Sequence, residues 1–286
     1  MGLSETLAKL RKIEEIPTLP SVAAKVLEVA NSENSTATDL NRVISQDAAL
    51  TTKTLKLVNS AYYGFPRTVT KITEAIVILG FNAVKNLALS VSVCEFFNKA
   101  DDNFDRRKLW LHSVGVAVTT GLIAKKLNIP GDNEEAFIAG LLHDIGIIIE
   151  DQFLHDEFIE SLKVAKEKDI PIEHAEKEVL GMDHASIGKK ILQSWKLPGN
   201  LSKIIGFHHE PQYAYADTKR DTAIIYIADL ICKLKKIGFD GDTVIPKLRV
   251  EAFKALGLKK EDIKEIAKDV DEELKKAEDF INLIEN

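Results

Sequence analysis

The sequence has few of the residues that mark secreted or membrane-spanning proteins. Only two of its 286 residues are cysteines, Cys94 and Cys232, and both lie in apolar helical contexts, so no disulfide framework is indicated. No run of about 18 apolar residues appears, so we expect no membrane span. The first residues carry scattered charges and lack the apolar segment of a secretory signal. These absences predict a protein of the reducing cytoplasm.

An excess of basic residues is also missing. The formal net charge is −6, with 38 Lys and Arg against 44 Asp and Glu. Because a general nucleic-acid-binding protein usually has a basic face, nucleic acid is not an expected partner. The segment DLNRVISQDAALTTKTLKLV does have the rhythm of a helix–turn–helix around Gln46 and Asp47. Its second helix offers phosphates only Lys53 and Lys56, and two packed bundle helices would give the same rhythm.

Strand signals are nearly absent, and most of the chain repeats apolar residues at steps of three and four. This pattern predicts an all-α fold, built as a multi-helix bundle. Hydrophobic residues make up 45% of the chain and charged residues 29%, which is an ordinary balance for a globular protein with a buried core. Pro20 and Ser21 mark the start of the first helix, and Thr36 with Asp39 resembles a capping box.

The same periodicity assigns individual helices. We expect one long helix over ITEAIVILGFNAVKNLALSVSVCEFF, and a polar linker, NKADDNFD at 98–105, between the two halves of the chain. Helices in the second half are predicted at about 105–127, 134–149, 151–168, 184–195, 200–209 and 220–236.

A C-terminal helical extension is predicted over residues 237–286. Its long amphipathic helix carries an apolar stripe, which we expect to dock on the core. A dimer seam is the alternative, and the sequence does not give the oligomeric state. The stripe consists of Ile263, Ile266, Val270, Leu274, Ala277, Ile281 and Ile284.

A histidine and an aspartate stand side by side at the end of an apolar helical segment, in GLLHDIG. Adjacent helical residues point about 100° apart, so His143 and Asp144 cannot both be ordinary core residues. Imidazole and carboxylate together suit a divalent transition metal, such as Fe, Mn, Zn, Co or Ni, and an aspartate can bridge two ions. Gly146 would let another group approach closely.

Other histidines and an aspartate extend this pair. Asp229 lies in AIIYIADLICKL, where a carboxylate is costly unless it is paired, hydrogen-bonded or metal-bound. His112 lies in a second apolar helix, with room beside it at Gly115, whereas His155 and His174 stand beside charged residues and are expected to face solvent. A single buried histidine is more often a core residue than a ligand, but the whole set predicts a site for two metal ions. The predicted ligands are His112, His143, Asp144, His184, His208, His209 and Asp229.

The order of these residues resembles the HD superfamily of metal-dependent phosphohydrolases. Further segments, among them IPTLPSVAAKVLEVAN, LLHDIG, DHASIGKKILQSWKLP and HHEP, resemble the HDOD domain, an HD-related output domain of bacterial signalling proteins. The resemblance implies an HDOD domain over residues 13–212. It would comprise an N-terminal helical subdomain to about 100 and an HD-like metal-binding subdomain that continues to about 236. By resemblance to the related HD-GYP phosphodiesterases, the seven residues match a two-metal ligand pattern in which Asp144 bridges the ions.

Two single positions and one three-residue segment depart from the HD-GYP pattern. Ile147 follows HDIG, where those enzymes have a lysine that contacts phosphate. Pro211, Gln212 and Tyr213 replace the Gly-Tyr-Pro segment, and Lys108 stands where some relatives have a glutamate for a third metal. These departures favour metal binding over hydrolysis of cyclic di-GMP.

Two functions from different classes follow from the resemblance. The favoured one is a regulatory signalling module that binds two metal ions and acts through a signalling-protein partner. The alternative is a metal-dependent phosphohydrolase that acts on a nucleotide or cyclic-dinucleotide phosphodiester. Its phosphate ligand would need positive partners besides the metals, and Lys189, Lys190 and Lys196 are the candidates, although a solvated surface is their more ordinary role. The sequence does not decide whether the protein is an enzyme.

Overall fold

The described part of the protein consists of helices and the loops between them. The computed structural model describes residues 21–32, 34–59, 63, 65–96, 104–129, 134–197, 199–242, 244–246 and 248–277. These ranges contain no strand, so the predicted all-α fold is confirmed. The first half contains α1 (Ser21–Asn31), α2 (Ala37–Ser45), α3 (Ala48–Val58), α4 (Ile72–Leu79) and α5 (Phe81–Phe96). The second half contains α6 (Arg106–Lys126), α7 (Glu134–Leu142), α8 (Ile145–Phe153), α9 (His155–Lys168), α10 (Ile172–Val179), α11 (His184–Ser194), α12 (Gly199–Gly206), α13 (Lys219–Lys235), α14 (Val250–Leu256) and α15 (Lys260–Lys276).

The first five helices form a bundle in which α5 contacts the other four. Thr36 and Asp39 exchange hydrogen bonds at the start of α2, so the predicted capping box is confirmed. At the start of α3, the side chain of Asp47 accepts a hydrogen bond from the backbone of Leu50. Helices α2 and α3 pack on each other and on α5. The helix–turn–helix rhythm around Gln46 therefore coincides with two packed bundle helices.

Two segments that the periodicity predicts as single helices are broken. Gly80, with φ +93°, separates α4 from α5 in a conformation that favours glycine. The segment 134–149 is broken at His143 and Asp144, and Asp144 has φ −97° and ψ 18°, outside the helical region. In a helix, successive side chains point about 100° apart. Residues at a junction between helices do not keep this angle, so neighbouring side chains there can face one centre. The helix predicted at 151–168 likewise begins only at His155.

Two short helices were not predicted. Helix α10 has the sequence IEHAEKEV, in which charged residues outnumber apolar ones, so its apolar period is weak. Helix α14 is a seven-residue helix in the C-terminal extension. The other helices of the second half lie within a few residues of their predicted positions.

The main hydrophobic core runs from Ala23 in α1 to Ala277 after α15, and a small second cluster consists of Ala165, Ile172 and Ala175. Helices α6 and α13 pack on each other and on α7, and α15 packs on α6 with Ile266 and Val270 buried. The predicted docking of the amphipathic C-terminal helix is thereby confirmed as far as residue 277. Within the described ranges, no helix combines the length and apolar character that a membrane crossing needs.

Some predicted features lie outside the described residues. They are the start of the HDOD domain at 13–20, most of the linker at 98–105, the side chain of Cys94, and the stripe residues Ile281 and Ile284. The division of the chain into subdomains stays a prediction.

Candidate metal centre

The seven predicted ligands lie together inside the second half of the molecule. His112 and Asp229 come from the middles of α6 and α13, and 117 residues separate them, yet His112 Nε2 is 3.0 Å from Asp229 Oδ1. The other five lie at helix ends. His143 and Asp144 form the α7–α8 junction, His184 is the first residue of α11, and His208 and His209 follow α12. All seven side chains are buried.

Six of the seven residues fall into two groups of three. His184, His208 and His209 form one group, and His112, His143 and Asp229 form the other. In each group, one nitrogen or oxygen atom per residue lies within 4.8 Å of the others. Each group of three nitrogen and oxygen donors at this spacing could hold one divalent transition metal ion.

The seventh residue, Asp144, lies between the two groups. Its Oδ1 is 3.4 Å from His184 Nε2 and 3.6 Å from His208 Nε2. Its Oδ2 is 3.0 Å from His143 Nε2 and 3.8 Å from His112 Nε2. Each carboxylate oxygen therefore faces a different group, which is the arrangement that a bridging aspartate requires.

Backbone carbonyl groups orient the rings of His143 and His208. Their Nδ1 atoms donate to the carbonyl oxygens of Gly140, at 2.7 Å, and Ile205, at 2.6 Å. A neutral imidazole that donates from Nδ1 has a lone pair on Nε2, and here Nε2 faces inward. Both Nε2 atoms, and Oδ2 of Asp144, are buried without a hydrogen-bond partner. An unpartnered buried polar atom costs about 1–3 kcal/mol, so three at one point fit a bound cation.

Two of the three other histidine rings at the centre are held in a similar way. His112 Nδ1 donates to the carbonyl oxygen of Ile237 at 3.2 Å. Glu176, on α10, accepts hydrogen bonds from both the backbone N–H and Nδ1 of His184, each within 2.8 Å. Such outer partners fix the ring orientation and raise the basicity of a metal-binding histidine. Sequence reasoning missed Glu176, because a charged residue in a short polar helix carries no signal of burial.

The electrostatics of the centre favour bound positive charge. Burial alone would lower the pKa of His112, but Asp240, Asp229 and Asp144 together raise that pKa to about 9. Burial alone would raise the pKa of Asp144, but His143 and other surrounding histidines hold it well below its usual value. The carboxylates therefore attract a cation, which is a proton when no metal ion is bound.

A buried lysine and two further aspartates adjoin the His112 group. Lys233 Nζ lies 3.1 Å from Asp229 Oδ2, 2.9 Å from Asp240 Oδ2 and 2.7 Å from Asp242 Oδ2. Lys233 stands four residues after Asp229 on α13, and this spacing is the one sequence signal that could have found it. Asp240 and Asp242 lie in the loop after α13, which has no periodic pattern, and sequence reasoning missed them.

Two glycines near the centre permit close packing. A Cβ atom on Gly146 would lie 1.9 Å from the carbonyl oxygen of His184, so the expected close approach at Gly146 is confirmed. The room expected beside His112 is already filled, because a Cβ atom on Gly115 would lie 2.7 Å from Ile237 Cγ2 and 3.3 Å from Cys232 Sγ. The expectation of free space at Gly115 is therefore wrong.

The positions that depart from the HD-GYP pattern offer little to a phosphate. Ile147 is fully buried in α8, and Lys108 is exposed. Lys189 Nζ lies over the ring of Phe207, 4.9 Å from its centroid. The two other candidate lysines, Lys190 and Lys196, are exposed.

The remaining two histidines have different surroundings. His174 is exposed, as expected. His155 is half-buried, with Nδ1 3.0 Å from Asp151 Oδ1, so the expectation that it faces solvent is not met. Its partner explains the difference, because Asp151 is a buried carboxylate one helical turn earlier.

Comparison with known proteins gives consistent results. A model of the HDOD domain family matches residues 16–211, close to the predicted 13–212. An uncharacterized protein of Treponema pallidum is 30% identical over 236 residues, which are 81% of this chain and 44% of that protein, so this chain spans less than half the length of that relative.

Two solved structures share the fold over nearly the whole chain. An HDOD domain protein of unknown function from Geobacter sulfurreducens has a TM-score of 0.78 and 23% identity, with 99% of both chains covered. A protein from Shewanella amazonensis SB2B that is provisionally named a phosphohydrolase has a TM-score of 0.75 and 27% identity, with 97% of this chain and 98% of the other covered.

Proposed function

The chain belongs to the HDOD domain family, and on that premise we propose that it is a regulatory module of bacterial signal transduction built around a dinuclear metal centre. The observation that carries the proposal is the position of Asp144. Its two oxygens face two adjoining groups of three buried donors, 3.0 to 3.8 Å from the nearest histidine nitrogens. A carboxylate that only supported the fold would not need two such groups around it.

Each ion would take three donors and one oxygen of Asp144. One ion would be held by His184, His208 and His209, and the other by His112, His143 and Asp229. Mixed imidazole and carboxylate ligands suit Fe, Mn, Zn, Co or Ni, and the order of affinities alone does not select among them. Bound there, the ions supply concentrated positive charge and Lewis acidity.

The burial of the donors favours a regulatory role over catalysis. His209 is the most accessible of the seven, and its exposure is only 8%. Ile147 offers no positive charge to a phosphate, and the buried ammonium of Lys233 is already surrounded by carboxylates. Ions at this point would join α6, the α7–α8 junction, α11, the end of α12 and α13. Metal occupancy would therefore set the shape that a signalling-protein partner contacts.

A metal-dependent phosphohydrolase is the second candidate, with a nucleotide or cyclic-dinucleotide phosphodiester as substrate. The completeness of the donor set favours it, since an ion with an open coordination position lowers the pKa of a bound water and so supplies a nucleophile. The Shewanella amazonensis protein that is provisionally named a phosphohydrolase is 27% identical to this chain. In this function, Asp144 would hold the two ions together, and the ions would orient the phosphate.

An activity screen separates the two functions. Cyclic and linear nucleotides would be incubated with the metal-loaded protein, with Asp144→Ala, and with His174→Ala as the exposed-histidine control. The regulatory proposal expects no product release above that of Asp144→Ala. Turnover by the wild type and by His174→Ala, well above that background, would contradict the proposal and support the phosphohydrolase.

A further inference from the structure

We propose that Asp240, in the loop after α13, is an eighth ligand of the metal centre, on the side of His112. The inference rests on the proposed function and extends it, because it adds a donor from outside residues 16–211, where the family model matches. It also makes part of the C-terminal extension a component of the centre.

The distances place the Asp240 carboxylate within reach of an ion on that side. Asp240 Oδ2 is 3.9 Å from His112 Nε2. One donor atom each from His112, Asp144 and Asp240 lies within 4.8 Å of the others. Two donors that bind one ion at about 2.1 Å lie about 3 to 4 Å apart. Asp240 is buried, with an exposure of 4%, so solvent does not compete strongly for its oxygens.

A second observation indicates a cation at the same point. Oδ2 of Asp144 is buried and has no hydrogen-bond partner, and it faces the His112 side. Nε2 of His143 lies 3.0 Å from that oxygen and likewise makes no hydrogen bond. These two atoms belong to other elements of the fold than Asp240, so they support the ligand independently of the acidic loop.

The loop that carries Asp240 is anchored on both sides of this residue. Before it, the backbone N–H of Phe239 donates to the carbonyl oxygen of Lys108 at 3.0 Å. Gly238 has φ +67°, and a Cβ atom there would lie 2.2 Å from the same carbonyl oxygen, so the loop passes directly against α6. After it, Asp242 Oδ1 accepts a hydrogen bond from the backbone N–H of Ile172 at 2.7 Å. The position of Asp240 therefore follows from the packing of the loop.

Lys233 allows two carboxylates to lie together before an ion arrives. Its ammonium contacts the Oδ2 atoms of Asp229 and Asp240, at 3.1 Å and 2.9 Å, and reduces the repulsion between them. A carboxylate oxygen has two lone pairs, so Asp240 Oδ2 can contact both the ammonium and an ion. Lys233 would thus be a positioning residue for Asp240.

The assignment links metal binding to the C-terminal extension. Asp240 lies between α13 and the helices α14 and α15, and α15 packs on α6, which carries His112. A ligand that binds only the assembled centre stabilises every element that forms the centre. The ion on the His112 side would therefore stabilise the docking of the extension.

Metal titration of matched variants tests the assignment. Mn²⁺ and Zn²⁺ would be titrated by calorimetry into the metal-free wild type, Asp240→Asn and the control Asp242→Asn. The control removes a carboxylate charge beside the same lysine but keeps the Oδ1 atom that accepts the hydrogen bond from Ile172. We expect Asp240→Asn to weaken binding of one of the two ions by about 10–100-fold, and Asp242→Asn to stay within about threefold of the wild type. Equal weakening in both variants would overturn the proposal, because the effect would then act through Lys233.

The outcomes for this inference and for the proposed function are distinguishable. Two ions bound to Asp240→Asn with wild-type affinities would overturn only the assignment of Asp240. A wild type that binds no metal would overturn both. If Asp240→Asn does not fold, as its melting curve would reveal, Asp240→Glu keeps the charge beside Lys233 and moves the carboxylate. The visible spectrum of the Co²⁺-loaded Asp240→Glu protein should then differ from that of the wild type, and an identical spectrum would overturn the assignment.

Discussion

The two halves of the molecule bury different kinds of side chain. In the described part of α1–α5, the buried polar residues are Thr54 and Ser92, both uncharged, and the rest of the core is apolar. The second half buries histidines, aspartates, glutamates and an arginine. A buried charge costs free energy unless it is paired or binds an ion, whereas a buried apolar side chain stabilises the fold directly. Both halves share an apolar core, and the second half depends in addition on charge pairing around its centre.

A substitution that creates a cavity in the first half tests how far that half depends on packing. Leu57 on α3 is fully buried, so Leu57→Ala should lower the free energy of unfolding by about 2–5 kcal/mol. Denaturant unfolding of the metal-free protein would measure the loss. The control is Val77→Ala, at an 84% exposed position of α4, and its free energy of unfolding should stay within about 0.5 kcal/mol of the wild-type value. Metal affinity should not change. A metal affinity that fell together with stability would show that packing in the first half also supports the metal centre in the second.

Removal of metal tests the role of charge pairing in the second half. When the free concentration of an ion is 100 times its dissociation constant, binding adds about 2.7 kcal/mol to the free energy of unfolding. A chelator should abolish that contribution. Hydrogen exchange measured with and without the chelator should increase in α8 and α11, which meet at the centre, and stay nearly constant in α1–α5. A uniform increase, or none, would break the comparison.

Glu176 tests how far the centre extends beyond its ligands. Glu176→Gln removes the charge that holds His184 Nδ1 and should weaken binding of the ion on that side by about 10–100-fold. The control is Glu178→Gln, an exposed position on the same helix. Calorimetric titration of both variants would measure the difference, and equal affinities would limit the centre to its direct ligands.

Glu173, which is not one of the predicted ligands, gives a pH-dependent test. Burial, and next the charge of Asp242, raise the pKa of Glu173 from 4.5 to about 7. The folded state thus holds the proton more tightly, so stability from this group is complete below pH 4.5 and is lost as the pH rises through 7.

Glu173→Gln should remove that dependence. In the metal-free protein at pH 8, the variant should be more stable than the wild type by on the order of 2 kcal/mol, with near equality at pH 4.5. Denaturant unfolding at the two pH values, with Glu178→Gln as the control, would measure this. A variant that is less stable at pH 8 would mean that the Glu173 charge supports the fold.

Sequence reasoning predicted the centre better than its surroundings. His112, His143 and Asp229 stand out because imidazoles and carboxylates in apolar helices need a reason to be buried, and the structure brings them together as expected. The break between α7 and α8 was missed, since the apolar pattern continues through it. Glu176 was missed because tertiary packing, and not a local sequence pattern, buries its polar helix. Asp240 was missed because tertiary packing likewise brings its loop back to the centre.

The most direct test of the proposed centre is the metal content of purified protein. Elemental analysis would compare the wild type with Asp144→Ala, and His174→Ala would control for loss of an exposed histidine. We predict about two transition-metal ions per chain in the wild type and in His174→Ala, and loss of about two in Asp144→Ala. Absence of bound metal from all three proteins, even after incubation with each candidate ion, would contradict the account.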